Sequence, residues 1–247
     1  MRGLHIVLTA AVIVGSAEAG RADAKLSVPA TDFAFGYVPQ NAKIAHRYTL
    51  KSVGTDTLKI ERIQPGCGCT QAPFLKSALA PGDSTDGELI FNTGSYSGNV
   101  AKVATVKTNP PGAPETQLRF TANVLIAPDS IKPVRIKPFI VDLTNGGSAA
   151  TGEMTITIST VSTSDLVATL VGSPSNLLKV TLPKVIRAGK SAEAKVALTK
   201  EAGPVSFESS VTLQFNDEAS SRYTVPVKHL VQATTAVGTT PSMPAGH

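Results

Sequence analysis

Tryptophan is absent from this chain, and cysteine occurs only at positions 67 and 69. Two cysteines one residue apart cannot form a long-range disulfide framework. With only four tyrosines and eight phenylalanines, the chain lacks the aromatic surface on which bases or sugars would stack. Its net charge of +5 is spread thinly, without a basic run. That argues against the clustered cationic face a nucleic acid needs. No Gly-x-Ser-x-Gly elbow occurs and no Cys-His-Asn layout is visible, so a nucleophilic enzyme is not expected. Met154 and Met243 stand alone, so there is no methionine-rich copper track. Beyond the first residues no apolar stretch approaches the ~20 residues of a membrane helix.

What is present begins with Arg2 and an almost wholly apolar run over residues 4–14. The small-residue patterns Ala17-Glu18-Ala19 and Ala22-Asp23-Ala24 follow, each a candidate cleavage site. Residues 1–24 therefore read as an export signal cut after Ala19 or Ala24, and no cysteine follows to carry a lipid anchor. The mature protein is expected in the periplasm or outside the cell.

From Phe33 onward, period-two alternation replaces any helical period. Phe33 and Phe35 share a face before a turn expected at Gly36. His46, Tyr48 and Leu50 alternate with Arg47, Thr49 and Lys51, and Leu58 and Ile60 with Lys59 and Glu61. Leu118, Phe120, Ala122 and Val124 form the longest stripe. Short alternating runs bounded by Gly, Pro, Asn and Asp predict antiparallel sheets with one dry face and one wet face.

The second half repeats the first. Leu79, Gly82, Ser84, Leu89 and Phe91 meet Ile186, Gly189, Ser191, Val196 and Leu198 at an offset of 107, and Leu58 meets Leu166 at 108. Two immunoglobulin-like β-sandwiches of about 100 residues each are predicted, over 25–126 and 127–232. The short linker at Ala127-Pro128-Asp129 places them end to end, and 233–247 reads as a disordered tail. The positions matching Cys67 and Cys69 in the second copy fall near Pro174 and Asn176, so only the first copy carries thiols.

Phe35-Gly36-Tyr37-Val38, His46-Arg47-Tyr48, Gly54 before Leu58 and Ile60, Cys67-Gly68-Cys69-Thr70, Leu79-Ala80-Pro81-Gly82, Phe91 and Thr108-Asn109 occur in order. Over residues 28–126 this resembles a bacterial exported family of unknown function marked by a Cys-Gly-Cys-Thr motif. That family is related to Hydin-type and major-sperm-protein-like immunoglobulin folds. The resemblance implies a sandwich and no settled activity; by analogy of fold it suggests a binding or assembly module.

The thiol pair admits three chemistries. Fully extended, residues two apart have Cα atoms ~6.6 Å apart, whereas a disulfide favours about 5.5–6 Å. A Cys67–Cys69 disulfide therefore needs a bend, for which Gly66 and Gly68 are suited. Such a bridge, strained in so small a ring, is either a local staple or an exchangeable redox couple. Two thiolates also suit Cu(I). His46 is the one first-domain imidazole that can join them as a metal ligand. His229, in the stripe of Tyr223, Val225 and Val227, reads as a core histidine. The expected function is non-enzymatic, without a cofactor: a binding or assembly module with a protein partner at the cell envelope. The alternative is a vicinal-dithiol protein that binds Cu(I) or exchanges disulfides.

Overall fold

The computed structural model describes residues 22–128, 133–144, 152–172, 176–202 and 205–231. The tail and the apolar N-terminal run lie outside them. Nine strands form the first unit: β1 (Leu26–Ser27), β2 (Asp32–Pro39), β3 (Lys43–Ser52), β4 (Leu58–Pro65), β5 (Thr70–Gln71), β6 (Ala78–Leu79), β7 (Ser84–Asn92), β8 (Gly98–Thr108) and β9 (Thr116–Leu125). Eight form the second: β10 (Val134–Lys137), β11 (Val141–Asp142), β12 (Glu153–Thr160), β13 (Ala168–Val171), β14 (Leu178–Thr181), β15 (Ser191–Leu198), β16 (Phe207–Phe215) and β17 (Arg222–His229). No helix among the described residues is long and apolar enough to cross a membrane.

The protein is all-β, two immunoglobulin-like sandwiches in tandem. In the first, the sheet β1-β3-β7-β5 faces β2-β9-β8-β4-β6. Alternation decides which side is dry. On β9, Leu118, Phe120, Ala122 and Val124 are buried while Gln117, Arg119 and Thr121 are exposed. Phe35, Tyr48, Leu89, Phe91 and Phe120 meet in one core, and burying each large apolar side chain stabilises by roughly 1.5–3 kcal/mol. A second core gathers Leu143, Ile156, Ile158, Ile186, Val196, Leu213 and Phe215.

The strand pairings of the two halves match at the offset of the repeat. The pair Leu50 and Thr85 corresponds to Ile158 and Ala192, and Ala104 and Leu118 to Val211 and Val225. The bridge between Leu58 and Leu79 recurs between Leu166 and Ile186. Gly82 and Gly189 both adopt positive φ, 86° and 63°, in matching turns.

The sandwiches do not sit end to end. β17 lies beside β2, Tyr223 opposite Tyr37, so one nine-stranded sheet runs through both units. This explains where sequence alternation misleads. Ser210, Thr212 and Thr224 are small polar side chains of the kind that suits a wet face, yet all are buried, because the first sandwich covers that face.

Gly36 is also not a turn. β2 continues through it in a bulge with φ +68°, and a Cβ there would lie 2.1 Å from the Arg222 carbonyl oxygen. Glycine is required because two backbones touch at that point.

Candidate functional site

The thiol pair lies where the chain crosses from one sheet of the first sandwich to the other. β4 pairs with β8 and β5 with β7; Gly66 to Cys69 make the crossing. Gly66 N–H still donates to the Val103 carbonyl at 2.9 Å, continuing the β4 ladder, and Thr70 N–H donates to the Cys67 carbonyl at 3.3 Å, closing the bend. Asn92 N–H donates to the Cys69 carbonyl at 2.9 Å, joining the far end to β7. The bend brings the two Cα atoms to 5.3 Å, and the sulfurs are bonded.

Of the two glycines, only Gly66 is constrained. A Cβ on it would meet the Val103 oxygen at 3.1 Å, whereas one on Gly68 meets nothing. Both cysteines are half-buried, and the Thr70 hydroxyl lies 3.6 and 3.8 Å from their sulfurs. With the sulfurs joined, neither offers the thiolate that Cu(I) would require.

His46 is not brought to the pair. Its ring stacks on Phe33 with centroids 3.5 Å apart and meets Tyr48 edge-on at 4.7 Å. Gly172 of the second sandwich packs so closely that a Cβ there would stand 3.0 Å from two atoms of the His46 ring. Burial first, and then the Arg222 charge, hold its pKa down to about 4. A neutral imidazole wedged between two domains has the surroundings of a seam residue. Among the described residues no three His, Cys, Asp or Glu side chains gather as a metal cluster. His229 is buried, with Nδ1 2.9 Å from the Leu143 carbonyl oxygen.

The seam itself is built from side chains that satisfy open backbone. Ser210 Oγ accepts from Ala45 N–H and donates to Ala45 C=O, both at 3.0 Å. One hydroxyl thereby takes the place of a neighbouring strand beside β3. Thr224 Oγ1 donates to Phe35 C=O at 2.7 Å and Arg222 Nη1 to Ala34 C=O at 3.1 Å. Lys43 pairs with Glu208 across the same boundary. In the second sandwich the counterpart of the cysteine crossing takes part in this docking. Arg47 Nη2 donates to Asn176 Oδ1 at 3.4 Å, while Pro174 lies outside the described residues.

A feature the sequence reading missed lies at the edge of the continuous sheet. β13 ends the strand order. Its Thr169 and Val171 pair with Gln214 and Thr212 of β16, whose N–H and C=O groups point toward β13, as Asn216 N–H donating to Val167 C=O shows. Ala168 and Leu170 therefore turn their backbone groups outward. Both edges are covered at their start, β4 by β6 and β13 by the Leu166–Ile186 bridge, but β4 goes on to carry Glu61, Arg62 and Pro65. Charge, proline and a bulge are the usual protections of a sheet edge. β13, with the sequence Ala-Thr-Leu-Val, has none of them. Comparing the two copies residue by residue for lost charges would have exposed this difference.

Residues 26–124 match the model of a family described as "Protein of unknown function (DUF1573)". No curated protein matches the chain. Among solved structures, a Porphyromonas gingivalis protein of unknown function is 13% identical, covering 83% of this chain and 99% of that one, with a TM-score of 0.34. The ASH/PapD-like domain of human CEP192 is 12% identical over 50% of this chain and 99% of its own, TM-score 0.36. The periplasmic chaperone SfaE is 12% identical over 84% and 100%, TM-score 0.32.

Proposed function

We propose that this is an exported, non-enzymatic binding module of the cell envelope that accepts an extended segment of a partner protein along β13. The observation that carries this reading is the edge of β13, which past the Leu166–Ile186 bridge has no pairing strand among the described residues. Ala168 and Leu170 present outward N–H and C=O groups, with no charge or proline on the strand. Strand addition draws affinity from such main-chain groups and specificity from neighbouring side chains. Val167 and Leu170, 39% and 36% exposed, supply apolar contact beside the edge. β13 lies in the sheet that runs through both sandwiches, which hydrogen bonds join along the seam.

Cross-linked capture from the envelope of the producing bacterium tests this. The wild-type protein recovers a defined partner, and Thr169→Lys, which places a charge on the edge, loses it. Amide exchange on the complex slows at Ala168 and Leu170. A partner retained by Thr169→Lys, with both amides exchanging as in the free protein, refutes the reading.

A second reading rests on the bonded, half-buried sulfurs of Cys67 and Cys69. In it, a partner thiolate attacks one sulfur, forms a mixed disulfide and releases the other as a thiolate; Cu(I) would bind only after full reduction. The Cys67→Ser and Cys69→Ser variants would then each abolish exchange while the fold survives. Equal activity in the double variant rules it out.

A further inference from the structure

The two candidate cleavage sites make different mature proteins. Cutting after Ala24 removes Asp23 and Ala24; cutting after Ala19 retains them. The fold uses both residues. The Asp23 carbonyl accepts from Thr55 N–H at 2.7 Å and from Asp56 N–H at 3.1 Å. Asp23 N–H donates to Thr55 Oγ1 at 3.0 Å. These three bonds fix the chain end against the β3–β4 turn. That turn is shaped to receive it, since a Cβ on Gly54 would lie 2.0 Å from the Asp23 oxygen. Ala24 packs against the first core beside Leu26 and Val28. Asp23 and Ala24 also wall a cleft of about 520 Å³ whose other side is Pro110, Pro111 and Pro114.

From this geometry we infer that the export signal ends at Ala19 and the mature chain begins at Gly20. The inference rests on the export reading above. The step is hydrolysis by a signal-type peptidase: the bond between Ala19 carbonyl carbon and Gly20 nitrogen breaks. Water supplies the hydroxyl of the new Ala19 carboxyl group and a proton for the new Gly20 amine. Ala17 and Ala19 hold the small-residue positions that such an enzyme reads. The pattern Ala22-Asp23-Ala24 is then a structural segment that mimics a cleavage site. Removal at Ala24 would strip one backbone acceptor, the Asp23 carbonyl, and one donor, the Asp23 N–H, from the Thr55 turn and uncover the core edge beneath Ala24.

The full chain expressed in an exporting bacterium, followed by N-terminal sequencing of the exported protein, decides between the sites. Gly20 as first residue supports the inference. Lys25 as first residue overturns it while leaving export intact, and an exported fraction that is missing altogether, with Met1 retained, overturns the export reading instead. A second measurement addresses the structural argument directly. A chain beginning at Lys25 should melt lower than one beginning at Gly20, by about 2–6 °C for a protein of this size. Equal melting temperatures would show that Asp23 and Ala24 contribute nothing to the fold and would refute the reasoning.

Discussion

Replacing Gly36 with alanine should separate the two sandwiches. The new Cβ would lie 2.1 Å from the Arg222 carbonyl oxygen and 2.5 Å from the Arg222 carbonyl carbon and Cβ. Backbone stands on one side and a β-carbon on the other, so no flexible side-chain end can yield. β2 and β17 must part by more than an ångström. An alanine at φ +68° adds about 1 kcal/mol of local strain. Parting the strands also strains the hydrogen bonds from Thr224 to Phe35 and from Arg222 to Ala34, each worth about 1 kcal/mol, or more if a buried carbonyl is left unpaired. The sum is about 3–4 kcal/mol, most of it at the seam and little in either core. Two consequences should be visible. Urea denaturation, expected to be a single transition for the wild type because the seam couples the two cores, should shift to lower midpoint and split in the variant as each core unfolds alone. The amide of Ala45, bonded to Ser210 in the wild type, should exchange much faster. A Gly36→Ala protein with one transition and a loss under about 1 kcal/mol would refute the idea that the backbones meet there.

Further expectations follow from the same contacts. His46 is held neutral in the fold, so the unfolded chain binds the proton more readily; stability is full above about pH 6.5 and falls as pH drops toward 4, by up to roughly 3 kcal/mol. His46→Phe should flatten that slope in equilibrium unfolding, and an unchanged slope would place the cause elsewhere. The buried Thr93 hydroxyl accepts from Ala42 N–H and faces the carbonyls of Pro39 and Ala42; Thr93→Val should cost about 1–3 kcal/mol by removing the partner of the Ala42 N–H, while the Ala42 carbonyl keeps its bond from Thr93 N–H, whereas a loss below about 0.5 kcal/mol would mean water replaces the hydroxyl. The Cys67→Ser, Cys69→Ser double variant opens a three-residue ring only, so its global stability should fall by less than about 2 kcal/mol. Gly68→Ala should be neutral, since its Cβ meets nothing; a marked loss would show that Gly68 matters to the bend.

The alternating stripes were legible because each sandwich has one dry face and strand side chains have a period of two. Leu118 to Val124 read from the sequence as they sit in the fold, and the offset of Leu58 from Leu166 survives as a matched bridge. The seam was not legible. Ser210, Thr212 and Thr224 are small polar residues that suit a solvent face, and only the approach of β2 and β3 turns that face inward. Gly36 signalled a special backbone, but sequence cannot distinguish a turn from a close contact between strands. Likewise His46 sat on a dry stripe, while its stacking on Phe33 and the approach of Gly172 depend on how the copies dock. The edge of β13 went unread because absence of charge over four residues is ordinary until the strand is known to end a sheet.

The central claim is that β13 is the surface presented to a partner. A photo-activatable phenylalanine analogue at position 170, in the full-length protein inside its own envelope, tests it most directly. The account predicts one discrete adduct at position 170 and none with the same analogue at position 62, on the protected edge of β4. No adduct at 170, or the same adducts at both positions, would contradict it.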